Sequence, residues 1–332
     1  MGGKALNKYG VFTERKNTEE FLRIGKELQR RIEDDLPVST AIVSCYHTKA
    51  DHGDLDLLLK IDEGINILWR EYIQKTFSPE AINSNGGVYS FDYKNFQIDF
   101  IPIPEAKWET AKIYYSYDPL GNIMGKTYHK FGLSYGWQGL HYKFRNFNGS
   151  NSQDIVLTND ARRIFEFGGY DYDRYLQGFE ILEEIFNFCI SGKYFDAEMF
   201  QMENLKSIDK KRNRKRGSYH LFLNYIKDNG INTHYEFEEE KDNYLITIDS
   251  AFPEAELLYK LHDLQVEDDF NKAVAEKFNG NVIMEWLPEL KGKELGAAIT
   301  KFKESWGEEY KDFISSATIE SIKHAFMTIY NK

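Results

Sequence analysis

Phe21, Ile24, Leu28 and Ile32 recur at the spacing of one helical face, with Asn17 or Thr18 placed to cap the helix and Glu19 and Glu20 suited to its positive N-terminal end. Pro37 breaks that helix. The β-branched, apolar run Val38 to Cys45 then predicts a buried strand, and a polar loop from Tyr46 to Gly53 leads to a second strand, Asp54 to Ile61. A helix is expected from about Ile65 to Phe77, followed by an Asn- and Gly-rich turn at Asn83 to Gly87. Val88 to Tyr93 and Phe96 to Ile103 read as a hairpin turning at Lys94-Asn95, closed by Pro102 and Pro104. Pro119 to Phe131 predicts a helix with Asp118 as cap and Gly132 as its end, and residues 145 to 160, rich in Asn, Ser and Gly, predict a loop.

Beyond about 176 the pattern becomes mainly helical: Leu176 to Ile190, Glu198 to Leu205, Ser218 to Lys227, Glu254 to Phe278, Lys293 to Trp306 and Glu309 to Tyr330. Tyr244 to Ile248 is the one strand expected there. The chain therefore predicts an α+β fold in two parts, a mixed-sheet domain over 1–175 and a mainly helical domain over 176–332.

Composition narrows the class. With 332 residues, 42% hydrophobic, 15% aromatic and 29% charged, the chain can bury more than one core, and its aromatic content opposes general disorder. No apolar run approaches the ~18 residues of a membrane helix, and Met1-Gly2-Gly3-Lys4 lacks the apolar core of a secretion signal. The expectation is a soluble, intracellular, cytoplasmic protein without a membrane partner. Cys45 and Cys189 are too few for a disulfide scaffold or a Cys-based zinc site. The eight histidines form no His-x3-His or His-Glu-x-x-His pattern, and no serine lies in a Gly-x-Ser-x-Gly elbow. The net charge of −11 weighs against a protein that grips a polyanion with its whole surface.

The chemistry concentrates in Val43-Ser44-Cys45 through His52-Gly53-Asp54-Leu55-Asp56-Leu57-Leu58-Leu59. On a strand, Asp54 and Asp56 share one face while Leu55, Leu57 and Leu59 share the other. Two adjacent carboxylates repel unless a cation lies between them, and oxygen ligands of this kind suit Mg2+. A third carboxylate, Asp99, sits opposite Phe96, Ile98 and Phe100, and Ser44 lies ten positions before Asp54 across a glycine-ended loop. Three strand carboxylates with a serine at a loop mouth suit two-metal phosphoryl transfer, with Mg2+ as the pair of ions and Mn2+ as a substitute.

This segment resembles the nucleotidyltransferase signature of the family X DNA polymerases, the polymerase beta group: Gly-Ser, a polar loop, then Gly-Asp-x-Asp and apolar residues at the same interval. The likeness continues in Tyr114-Tyr115-Ser116-Tyr117, fifteen residues after Asp99, where the family has Tyr-Phe-Thr-Gly, and in Asn122 and Lys126 at its Asn and Arg positions. Ile164-Phe165-Glu166-Phe167-Gly168-Gly169-Tyr170 resembles the helix near the end of its polymerase domain, so the likeness spans roughly residues 40 to 175. It implies a polymerase beta-like palm, with Asp54 and Asp56 holding both metals. Asp99 would hold the catalytic one and receive the proton of the attacking hydroxyl. Ser44 and Gly53 would bind the triphosphate, Tyr114 would sit against the sugar, and Asn122 and Lys126 would face the nascent base pair. The departures are Val43 for the signature glycine, Tyr46 and His47 for phosphate-gripping arginines, and Tyr117 for the last glycine of Tyr-Phe-Thr-Gly. Lys49, or His47 if protonated, is then the remaining cation for the phosphates.

Lys206 to Arg216 carries seven basic residues and one acid, and Lys210, Lys211, Arg212, Arg214, Lys215 and Arg216 form a candidate phosphate-tracking strip. That segment contributes +6, so the rest of the chain carries −17. Leu287 to Gly296 resembles a short segment in the tail of CCA-adding tRNA nucleotidyltransferases. The leading expectation is an enzyme adding nucleotides from (d)NTP to the 3′-hydroxyl of DNA or RNA. The alternatives are untemplated tRNA or RNA end addition, nucleotidyl transfer to a protein or small molecule, and a binding module with a degenerate catalytic head.

Overall fold

The computed structural model describes residues 3–149 and 152–331. The chain divides into two compact units, Met1–Tyr142 with Val156–Ala255, and Lys143–Ile155 with Glu256–Lys332. The division expected at 175/176 thus falls inside the first unit. An aromatic network joins the two sides of that position: Tyr117 packs edge-on against Tyr175 and Phe179, and Phe131 meets Tyr194, Phe237 and Tyr244. Burying these rings together makes residues 176–255 part of the core that carries the strands.

The first unit begins with β1 (Lys16–Asn17), α1 (Thr18–Asp35), β2 (Ser39–Ile42), β3 (Asp51–His52), β4 (Asp54–Ile61) and α2 (Trp69–Phe77). It continues through β5 (Ile82–Asn85), β6 (Val88–Tyr93), β7 (Phe96–Pro104), α3 (Trp108–Tyr115) and α4 (Leu120–Lys130). A ribbon of β8 (Leu133–Gly136), β9 (Gly139–Arg145) and β10 (Ser152–Thr158) follows, of which the part within Lys143–Ile155 is assigned to the second unit. Helices α5 (Ala161–Gly168), α6 (Tyr172–Leu176), α7 (Leu182–Ile190), α8 (Ser207–Asn213), α9 (Gly217–Asp228) and α10 (Leu245–Ala251) complete it.

The main sheet is mixed, in the order β2-β4-β7-β6-β5, with β4 and β7 parallel and the other neighbours antiparallel. This is the α+β architecture expected. Asn17 caps α1 by accepting from the Glu20 N–H, and Phe21, Ile24, Leu28 and Ile32 bury the face that the periodicity marks. They pack on Leu55, Leu57 and Leu59 of β4 and on Phe96, Ile98 and Phe100 of β7. The opposite face is covered further along, where Leu58, Ile101, Ile103 and Ala111 form a second cluster. The β6–β7 hairpin turns at Lys94 and Asn95, both left-handed at φ 53° and 58°, as a type I′ turn requires.

Several elements differ from the sequence expectation: the helix expected over Leu176–Ile190 starts at Leu182, Asn83–Asn85 of the expected turn belong to β5, and the strand expected over Val38–Cys45 is the partly exposed edge strand β2. Within 145–160, strand β10 forms because Ile155 and Leu157 are buried on one side while Val156 is exposed, an alternation masked by the surrounding Asn and Ser. Tyr244–Ile248 is the end of a 3-10 turn and the start of α10: Tyr244, Ile248 and Phe252 are buried four apart while Ile246 faces water. Glu198–Leu205 forms two 3-10 turns instead of an α-helix. Asp118 does not cap α4; its carboxylate accepts from the Ser218 hydroxyl.

In the second unit α11 (Leu257–Lys277), α12 (Gly280–Trp286), α13 (Gly292–Trp306), α14 (Tyr310–Ser316) and α15 (Ile319–Tyr330) enclose Phe278, Ile283, Phe302, Ile314, Ile322 and Phe326. The helix expected over Glu309–Tyr330 is interrupted at Thr318, whose hydroxyl caps α15 by accepting from the Ser321 N–H. Leu287–Gly296 folds as the turn between α12 and α13, with Gly292 at φ 55° and Leu290 buried in the helical core. Among the described residues, no helix is long and apolar enough to cross a membrane.

Candidate active site

Asp54 and Asp56 open β4 on the face away from Leu55 and Leu57. The parallel register sets Asp56 directly beside Asp99 of β7, and Asp54 beside Gln97. The sheet thereby gathers on one face the three carboxylates that the sequence singled out. All three are half-buried. Burial and the charges of Asp54 and Asp99 hold the Asp56 carboxyl well above the usual carboxylate range, with Lys49 opposing them. Burial and then Asp54 push Asp99 up to about 7 against the hydrogen bonds from Ser90 and Gln97.

Beside them lies a cleft of about 290 Å3. Ser44, Lys49, Asp54 and Asp56 form one part of its wall, and Tyr115, Tyr117 and Asp118 another, with Gly217 and Ser218 at the start of α9. Tyr117 is left-handed at φ 58°, a conformation that favours glycine and costs a tyrosine about 1–2 kcal/mol. It is the position at which the family signature carries a glycine. The strain is held by a 2.9 Å bond from the Tyr117 N–H to the Ser44 carbonyl and by the rings of Tyr175 and Phe179. Cys45 also lines the cleft, but burial raises its thiol pKa, so it is no ready thiolate.

The remaining sequence candidates are placed apart from this wall. His47 is exposed and pairs with Glu180 at 3.0 Å, and it does not line the cleft. Gly53 is buried next to Asp54. Tyr114 also lies outside the cleft lining, packed edge-on against Tyr115 and Tyr135; Tyr115 and Tyr117 occupy the wall in its place. Asn122 Oδ1 is buried without a hydrogen-bond partner. Lys126 reaches toward α8 and α9, with its ammonium 3.7 Å from Asp209 and 5.6 Å from the Tyr219 ring centroid. Burial lowers its pKa, and the charges of Arg216 and Arg212 add to that effect. The structure thus joins Lys126 to the basic strip. There Lys211, Arg212, Arg214, Lys215 and Arg216 are exposed, and Lys210 donates to the Glu203 carbonyl at 2.8 Å.

Sequence reasoning passed over Gln97, Tyr115, Tyr117 as a wall residue, Asp118 and Ser218. Gln97 was within reach of the period-2 rule, since it shares a strand face with Asp99. Asp118 and Ser218 meet only through the tertiary fold.

His52, 2% exposed, stacks on Phe21 with ring centroids 3.8 Å apart, and burial lowers its pKa from 6.5 to about 4. The folded chain refuses a proton that the unfolded chain accepts, so this contribution to stability is present above pH 6.5 and is lost as the pH falls toward 4. Asp99, with its raised pKa, acts in the opposite direction over an overlapping range. The difference in melting temperature between wild type and His52→Gln, followed from pH 7.5 to 4, isolates the histidine: the wild type is expected to lose more stability on acidification. Parallel curves would refute the assignment.

The donor set fits a hard divalent cation, because all three groups are carboxylates on one sheet face, and Asp56 and Asp99 are raised first by burial and then by neighbouring carboxylate charge, which a cation would offset. Among the described residues, no three His, Cys, Asp or Glu side chains stand arranged to hold a metal ion as they are.

No protein-family model matches this chain. No curated protein matches it. Among solved structures, it is similar to the Leishmania infantum polymerase beta ternary P/T complex, at 17% identity and a TM-score of 0.39 over 49% of this chain and 76% of that one. It is also similar to the ternary gap complex of Leishmania infantum polymerase beta, at 17% identity and a TM-score of 0.32 over 39% of this chain and 51% of that one. In the second case the chain spans about half the length of its neighbour.

Proposed function

We propose that this chain is a divalent-metal-dependent nucleotidyltransferase that extends a polynucleotide 3′-hydroxyl from a nucleoside triphosphate. The observation that carries the reading is the parallel register of Asp56 with Asp99, with Asp54 on the same face, beside a cleft that also contains Ser44 and Lys49. Asp54, Asp56 and Asp99 would hold two Mg2+ ions, or Mn2+ in their place. When bound, those ions supply charge neutralisation for the triphosphate and acidify the attacking hydroxyl.

The chain's own residues account for the rest. Asp99, beside Asp56 in the parallel register, is placed to accept the proton of the attacking hydroxyl. Lys49 supplies a point charge for the phosphates, and the Ser44 hydroxyl supplies a donor from the same cleft wall. Tyr115 and Tyr117 offer ring faces for the sugar or base, a role that Tyr114 does not reach from its packed position. The basic strip with Lys126 would track the polynucleotide backbone.

Labelled single-stranded DNA, primer–template and tRNA, each incubated with dNTPs or rNTPs in Mg2+ or Mn2+, provide the test. Template-directed or terminal extension supports the reading and names the acceptor; no incorporation into any of the three overturns it. Replacing Lys211, Arg212, Arg214 and Lys215 with serine is expected to weaken polynucleotide binding and flatten its salt dependence by roughly one unit of slope per lost phosphate contact. An unchanged slope would remove the strip from the interface.

A further inference from the structure

Gly3 to Leu6 meet the carboxylate-bearing ends of β4 and β7. The Gly3 N–H donates to Asp54 Oδ2 at 3.1 Å. Two residues on, the Ala5 N–H donates to Gln97 Oε1 at 2.8 Å, and Gln97 Nε2 donates to both Asp99 oxygens, at 3.0 and 3.2 Å. Because a backbone N–H can only donate, Ala5 fixes which end of the Gln97 amide is oxygen and turns its NH2 toward Asp99. Gln97 is 2% exposed, so its amide has no bulk water to exchange with.

The segment is held firmly enough to impose this arrangement. Leu6 is 1% exposed, and the Thr13 hydroxyl donates to the Gly3 carbonyl at 3.2 Å. Gly3 itself is left-handed at φ 81°, and a Cβ there would overlap the Gly53 carbonyl oxygen. Only glycine fits so close to the loop that precedes Asp54.

We propose that Gly3–Leu6 is part of the active site, its backbone amides positioning Asp54 directly and Asp99 through Gln97 for the divalent cation. The inference rests on the metal-dependent function proposed above. Three like charges on one sheet face tend to rotate apart, and a fixed donor on each outer carboxylate opposes that rotation. Each bonded oxygen keeps a lone pair, and Asp54 Oδ1 is untouched by Gly3, so the donors orient ligands without consuming them. Gly3 and Gln97 are positioning residues in this scheme.

Mn2+ binding followed by the loss of the free-ion paramagnetic resonance signal provides the test, on the full chain, for wild type, Asp56→Asn, Gly3→Ala and Gln97→Leu. Gly3 lies outside the hydrophobic clusters, so Gly3→Ala disturbs the carboxylates without emptying a core, and thermal melting verifies that both positioning variants are folded. Gly3→Ala and Gln97→Leu are expected to weaken Mn2+ binding by about 10-fold or more, the usual scale for groups that orient metal ligands. Wild-type affinity in both, with binding lost in Asp56→Asn, overturns the positioning role and leaves the metal site standing. Tighter binding in either also overturns it, since the segment would then compete with the cation. Equal binding by wild type and Asp56→Asn takes down the metal reading and this inference together.

Discussion

Asp56→Asn is expected to lower nucleotidyl transfer by about 10³-fold or more while leaving the metal-free protein as stable as the wild type, or more so. The two halves of that result have one cause. Asp56 sits between Asp54 and Asp99 in charge and beside Asp99 in register, and its carboxyl pKa stands well above the usual range. A raised carboxyl pKa means that the folded state binds the proton more tightly, so stability falls as the pH climbs from the unfolded value through the folded one. At pH 8, far above the carboxyl pKa of an unfolded chain, and without divalent cations, the raised pKa of Asp56 therefore opposes folding. Asparagine keeps the shape and removes one charge, so the melting temperature rises or holds. The same missing charge deprives a cation of the donor nearest both other carboxylates. Transfer assays and thermal melts on the same preparation decide it: wild-type turnover, or a clear fall in metal-free melting temperature, contradicts the role assigned to Asp56.

Phe100→Ala, one residue along β7 from Asp99, should instead cost about 3–5 kcal/mol of folding stability. Phe100 is fully buried, with its ring centroid 4.8 Å from Phe91, 5.9 Å from Phe77 and 6.2 Å from Trp69. Removing the ring takes its apolar area out of the core and leaves a cavity between α2 and the sheet, whose walls are other rings that cannot collapse inward without leaving their own contacts. Such a loss is a large fraction of the whole stability of a domain. Urea denaturation is the measurement. A loss below about 1.5 kcal/mol, the range of volume-conserving swaps, would mean that the site repacks and that the ring cluster is looser than its geometry indicates.

Where local rules govern, the chain was readable. Leu55, Leu57 and Leu59 announce the buried face of β4 by alternation alone, which leaves Asp54 and Asp56 together on the other face. Asn17 and the i, i+3, i+4 pattern define α1, and Lys94-Asn95 marks the hairpin turn as the two-residue polar break between two aromatic, alternating runs, although a lysine in a left-handed position is uncommon. What was not readable depends on partners distant in sequence. Nothing in Phe96–Pro104 declares that β7 lies parallel to β4 with Asp99 beside Asp56. Tyr244–Ile248 has strand composition, and only the rings gathered at Phe131 turn it into a helical segment. Tyr114 carries the matching spacing, yet the left-handed turn at Tyr117 and the packing on Tyr135 bring its neighbours Tyr115 and Tyr117 to the cleft. His47 is drawn to Glu180, a residue far along the chain.

The pairing of β4 with β7 also sets an order of events. The β6–β7 hairpin closes over two residues, a step of microseconds, whereas β4 must find β7 across α2, β5 and β6, with the loop-closure entropy of a long segment to overcome. Asp56 and Asp99 therefore meet only when this non-local contact has formed. In a refolding experiment, signals from the local hairpin should precede cation uptake. On the ribosome, a chain that has emerged only as far as β6 carries two of the three carboxylates and no site.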